Sequence, residues 1–115
     1  MTAVLDDLLA RYAEDWFQAV EVAYCARQRG ARTLAEVRAL SIETIAAGLR
    51  AGYFVGGDAT PDGFEPWAGG PDEVIARLRD EWPLDHYVET GEVCWLDPTE
   101  AGEVKAAEVH RRYFP

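Results

Sequence analysis

A chain of 115 residues is one domain in size, and with 49 % apolar residues it can bury an ordinary core without a disulfide or metal staple. Eleven basic residues stand against 21 acidic ones, a net charge of -10; that excess favours solubility and opposes nonspecific attachment to nucleic acid or anionic membrane. The start "MTAVLDDLLARYAEDW" lacks the basic, apolar and cleavage regions of a signal peptide, and no apolar run reaches the roughly 18 residues of a membrane span, so a cytoplasmic protein with reduced thiols is expected.

In chain order, Val4, Leu5, Leu8, Leu9 and Tyr12 recur at helical spacing and predict a first helix over 3–13. A second is expected at 16–29, with Trp16, Ala19, Val20, Ala23, Tyr24 and Arg27 on one face and Gly30 as its stop. "TLAE" at 33–36 is a capping box, Thr33 with Glu36 three residues on, and opens a short helix over 34–39. Ser41 caps a further helix that buries Ile42, Ile45, Ala46 and Leu49 and ends at Gly52. "YFVGGD" is a short strand, and "ATPDGFEPWAGGP" is turn chemistry. Pro71, Asp72 and Glu73 open a helix with Val74, Ile75, Leu78 and Trp82 on one side. "EVCWL" reads as a second strand. "DPTE" at 97–100 starts a last helix over 98–112, with Gly102 weakening its first turn. Cys25 and Cys94 fall in apolar patterns and read as buried small hydrophobes. Ten of the eleven basic residues are arginines, Lys105 being the exception, and with the abundant alanine this suggests a GC-rich bacterial genome.

The close helix pair 34–39 and 41–51, followed by two strands able to pair as a wing, resembles the winged helix-turn-helix fold. "TLAEVRALSIETIAAGLRAGYFVGGD" is similar to the second and third helices and first wing strand of that fold. "CWLDPTEAGE" is similar to its closing strand and following turn, with Leu96, Thr99 and Gly102 in an LT-x-x-G-like pattern into which Asp97 and Pro98 are inserted. The resemblance covers 33–58 and 92–104. It implies an α+β fold: a single, mainly helical winged-helix-like domain over 1–115, with a two-stranded antiparallel wing and an inserted helix in an acidic insertion at about 59–91. "GD…DGFEPW" before "RLRDEW" also resembles small uncharacterised bacterial proteins.

A DNA-reading helix needs Arg, Lys, Asn or Gln facing base edges. The expected outward residues of 41–51 are Glu43, Thr44, Ala47 and Arg50, a poor set. Residues 53–100 carry twelve acidic residues against Arg77 and Arg79, which would push phosphates away. "DATPDGFE" places Asp58, Thr60, Asp62 and Gly63 at calcium-loop positions, but the twelfth is Gly69 where a bidentate Glu is needed, and an ordinary turn explains the same residues. Cys25, Cys94, His86 and His110 are too scattered for zinc. "DHY" at 85–87 has neither nucleophile nor Gly-rich loop beside it, so no catalytic residue, metal or cofactor is expected.

The expectation is therefore a non-catalytic acidic module binding a protein partner with a basic surface, in the form of an immunity or antitoxin-like protein or a regulatory adaptor. Asp58, Asp62, Phe64, Glu65, Trp67, Asp72 and Glu73 are its candidate binding residues, aromatic anchors inside an acidic rim. The aromatics of this region have a second role open to them, packing the insertion onto the sheet. The alternative class is a DNA-binding transcriptional regulator contacting nucleic acid through Arg38, Thr44 and Arg50, a homodimer through its terminal helices.

Overall fold

The computed structural model describes residues 2–113. Among them lie five helices and a four-stranded antiparallel sheet: α1 (Thr2–Tyr12), β1 (Phe17–Gln18), α2 (Ala19–Gln28), α3 (Leu34–Ala51), β2 (Phe54–Thr60), β3 (Gly63–Pro66), α4 (Pro71–Glu81), β4 (Trp95–Pro98) and α5 (Glu100–Tyr113). The strand order is β1-β4-β2-β3. The α+β class is thus as expected, and the two expected strands do pair, Val55 opposite Asp97 and Gly57 opposite Trp95. They are the middle of a larger sheet and not a two-stranded wing.

Several boundaries differ from the sequence expectation. The helices expected at 34–39 and 41–51 are one continuous helix of 18 residues. Ser41 is not a cap; it is fully buried mid-helix, in line with Val37, Ile45 and Gly48. No glycine or proline interrupts 34–47, so nothing forces a turn there, and burial favours continuation. The Thr33–Glu36 capping box does open α3: Glu36 N–H donates to Thr33 Oγ1 at 3.1 Å and Thr33 N–H to Glu36 Oε1 at 3.0 Å, a cap contributing about 1 kcal/mol. α2 starts at Ala19 because Phe17 and Gln18 are drawn into pairing with Leu96 and Trp95. Its buried side is Ala19, Val22, Ala23, Cys25 and Ala26, while Tyr24 and Arg27 are exposed. The stretch 63–66, expected as turn, is β3. The last strand is 95–98 in place of 92–96.

The core lies between the helices and one face of the sheet. Phe17 meets Phe54 edge-on with ring centroids 5.5 Å apart, and both are essentially inaccessible. Beneath Phe54 runs α3 at Gly48, where an added Cβ would stand 2.0 Å from Phe54 Cζ. Val74, Ile75, Leu78 and Trp82 are buried as expected, seating α4 against α3 and under β2. α5 runs along α1, burying Val109 and pairing Arg112 with the buried Asp6 at 3.7 Å.

The Leu96, Thr99, Gly102 pattern is a fastening between α3 and α5. Leu96 fills the core, and the Thr99 hydroxyl donates to the Gly52 carbonyl while accepting from Gly102 N–H at 3.1 Å. Gly102 lies directly against the Tyr53 carbonyl, within an unbroken α5 and not in a separate first turn.

Gly48→Ala tests the helix–sheet contact. Helix propensity alone would stabilise by roughly 1 kcal/mol, but Phe54 is boxed in by Phe17 and cannot yield, so overpacking of about 1–3 kcal/mol should win. Urea unfolding should show a lowered midpoint at unchanged slope; an equal or higher midpoint would refute the contact.

Candidate functional site on the outer face of the sheet

Alternation along the strands sorts their side chains onto two faces. Phe17, Leu96, Gly56 and Phe54 face the helices; Gln18, Trp95, Gly57 and Pro66 form a transverse row on the opposite face. Val55 and Asp97 sit side by side on that outer face, and Val55 is 41 % exposed. Trp16, from the turn between α1 and β1, leans onto the same face at 37 % exposure. Its ring lies 5.7 Å from Phe64 and 6.5 Å from Trp95, the latter edge to face. Gly57 makes this possible: a Cβ there would come within 2.8 Å of Phe64 Cζ. Trp16, Phe64 and Trp95 thus form one half-exposed aromatic patch.

The charge around the patch has one sign. Of the strand carboxylates Asp97 lies on this outer face, while alternation turns Asp58 and Glu65 to the side of Gly56; the four strands carry no Lys, Arg or His. Asp15, holding the Trp16 N–H at 2.7 Å, and Asp62, in the β2–β3 turn, add to it. Asp62, Glu65 and Asp97 form no ion pair among the described residues. The chain's arginines lie on the helices and in the α2–α3 turn.

The residues singled out from sequence do not share this face: Phe64 lies on it, whereas Asp58 and Glu65 project to the other side of the sheet. Phe64 joins the patch, half-buried. Trp67 is buried, so it is not an exposed anchor: its Nε1–H donates to Asp58 at 2.9 Å and Arg77 stacks on its ring at 3.7 Å. Here the packing role is the one observed. Asp58 and Glu65 stand opposite each other across β2 and β3; like charges so placed repel, and the indole N–H relieves Asp58. Asp72 and Glu73 occupy the first turn of α4, where acids suit the helix dipole, and Asp72 pairs with Arg50 at 3.3 Å. Trp16, Trp95 and Asp97 were missed as site residues: 16 was read as helical, and 79 positions separate the two tryptophans. The alternation of "VGGDA" with exposed ends was the available signal.

The nucleic-acid set fares differently. Thr44 is buried, its hydroxyl donating to the Leu40 carbonyl at 2.7 Å, because the face it was assigned to outward is turned into the core. Arg38 donates to the Arg79 carbonyl at 2.8 Å, and Arg50 reaches Asp72. Both arginines are engaged by α4.

Burial pushes both thiols up to about 12, where they are inert as nucleophiles, and both are free. No group of three or more His, Cys, Asp or Glu among the described residues is arranged to hold a metal ion, and no described helix is long and apolar enough to cross a membrane. One groove runs between α1 and α5, lined by Leu9, Ala13, Ala106 and Ala107. The sheet face is open, the form of a docking surface and not of a small-molecule pocket.

Comparison with family models, curated proteins and solved structures finds no match for the chain.

Beside the patch, residues 83–94 cross from α4 to β4. His86 is held between Asp85, Nδ1 to Oδ1 at 2.8 Å, and Glu92, Nε2 to both oxygens at 3.0 Å. Glu92 also accepts the Glu89 N–H, and Gly91 N–H donates to Gln18 on β1. Val93, the one non-glycine residue at positive φ among the described residues, follows at φ 71, a strained setting for a β-branched side chain. Hydrogen bonding to Asp85, then to Glu92, raises the His86 pKa above 6.5. Its contribution is therefore full below about pH 6.5, the unfolded value, and is lost as pH rises through the raised folded value. Hydrogen-exchange protection at Glu89 and Gly91, corrected for intrinsic rates, should fall over that rise, and His86→Gln should remove the dependence. A pH-independent protection in the parent chain would contradict it.

Proposed function

We propose that this chain is a non-catalytic, acidic protein-binding module whose outer sheet face docks on a basic protein surface. The observation that carries the reading is the Trp16, Phe64 and Trp95 patch on a sheet without one basic residue. Half-exposed aromatics supply contact area at small entropic cost, and the uncompensated carboxylates steer and select a cationic partner. An immunity or antitoxin-like protein covering a cationic site, or an adaptor, is the concrete form. The reading places the chain in the cytoplasm, where buried thiols stay reduced.

The close helix pair 34–39 and 41–51 that carried the winged-helix resemblance is the single helix α3, and what remains of that resemblance is the antiparallel pairing of β2 with β4, with β3 and α4 inserted between them. This arrangement is what favours the second reading, a DNA-binding regulator. Against it, the exposed positions of α3 include Glu36 and Glu43, and its arginines are drawn to α4. The surface of α3 does not suit phosphates.

Fluorescence anisotropy separates the two. A labelled octalysine peptide at low salt should bind, and a labelled mixed-sequence duplex should not bind at tens of micromolar protein, within the range (~1–100 µM) where DNA readers bind nonspecifically. Charge reversal on the sheet side, Asp62→Lys with Asp97→Lys, should weaken the peptide several-fold. The same charge change on helices, Glu43→Lys with Glu103→Lys, should weaken it less. Duplex binding that fades with salt and with Arg38→Ala would establish the regulator instead.

A further inference from the structure

We infer that the outer sheet face recognises arginine, and not cationic charge in general: a partner's guanidinium stacks on the Trp16 and Trp95 rings while pairing with Asp97. The inference rests on the docking reading above and names the chemistry of the group that docks.

The chain already contains one such grip. Arg77 lies over the Trp67 ring at 3.7 Å, and its Nε–H is at the same time bonded to Glu81. A planar guanidinium can do both at once, presenting its π-face to an indole and its N–H edge to a carboxylate. An ammonium is a compact, strongly hydrated charge that gains less from a ring face. Arg27 over Tyr87, at 4.6 Å, repeats the stacking half of the arrangement.

The outer face presents the same parts with the arginine missing. Trp95 and Asp97 are two residues apart on one strand and point to one side, a separation of about 6.6 Å at 3.3 Å per residue. Trp16 completes the aromatic side, edge to face with Trp95 at 6.5 Å. Asp97 is half-exposed, carries no hydrogen bond or ion pair among the described residues, and adjoins the exposed Val55. At Trp67 the chain's own α4 provides the arginine; on the outer face no strand residue can, since none is basic. Charge complementarity and the two-sided geometry together select a protein segment bearing arginine. A strand-addition mode is disfavoured, because the β3 edge is four residues long and carries Pro66.

The test compares labelled octaarginine with octalysine, equal in charge, on the intact chain at moderate salt. Octaarginine should bind about fivefold more tightly, a ratio in keeping with a cation–π contact at a partly exposed site. Trp16→Leu and Asp97→Asn should each bring that ratio toward one. In the parent chain, the indole N–H resonances of Trp16 and Trp95 should move with octaarginine while that of Trp82, buried at the C-terminal cap of α4, stays, so the result does not hinge on how well a variant folds. Equal binding of the two peptides, or shifts confined to helical residues, would overturn the arginine preference and leave the docking reading standing. Failure of both peptides to bind would overturn the two together.

Discussion

The ring of Phe54 rests on bare helix backbone at Gly48 and meets Phe17 edge-on. Almost everything else in the fold follows from that seat. It sets the first strand residue after α3 directly onto the helix, so β2 leaves at a fixed height. Phe17 then has to lie beside it, which brings β1 into the sheet. β4 enters between the two because Leu96 faces both Phe17 and Gly56 in the pairing register. With one face so committed to the helices, strand alternation leaves Trp95, Val55 and Asp97 no choice but the other.

The electrostatics divide along the same line. Several acidic residues on the helices pair with arginines, as Asp7 does with Arg11 and Glu108 with Arg112. The strands offer their carboxylates none. Like-charge repulsion on the sheet is tolerated because the residues are exposed and solvent screens them. Asp58, the one answered by an indole N–H, sits opposite Glu65. The strain at Val93 and the bonded loop before it lie against the same sheet, through Gln18 and through Cys94, whose carbonyl accepts the Ala19 N–H. The loop therefore borders the outer sheet face and is held by an ionisable side chain.

α3 shows why scaffold and function have to be argued apart. Its place after α2 and before β2 suits a reading helix. Yet α4 packs beside it, takes the Arg38 guanidinium at its C-terminal carbonyls and offers Asp72 to Arg50. The residues that would have met phosphates instead hold the inserted helix in place.

The sequence alone was enough for the apolar faces of α1 and α4, the Thr33–Glu36 cap, the acidic 53–100 region and the pairing of a strand after α3 with one before α5. Those signals are local: periodicity, capping and charge can be read within a few residues of one another. Tertiary structure decided that 34–51 is one helix, because burial of Ser41 and Thr44 overrides their preference for caps. It decided that 17–18 and 63–66 are strands, because each is completed by hydrogen-bonding partners on another segment. It turned Thr44 and Trp67 inward and brought Trp16 to Trp95 across the length of the chain. An aromatic patch assembled from residues 16, 64 and 95 has no signature in any window of sequence, since its members become neighbours only when β4 slides between β1 and β2.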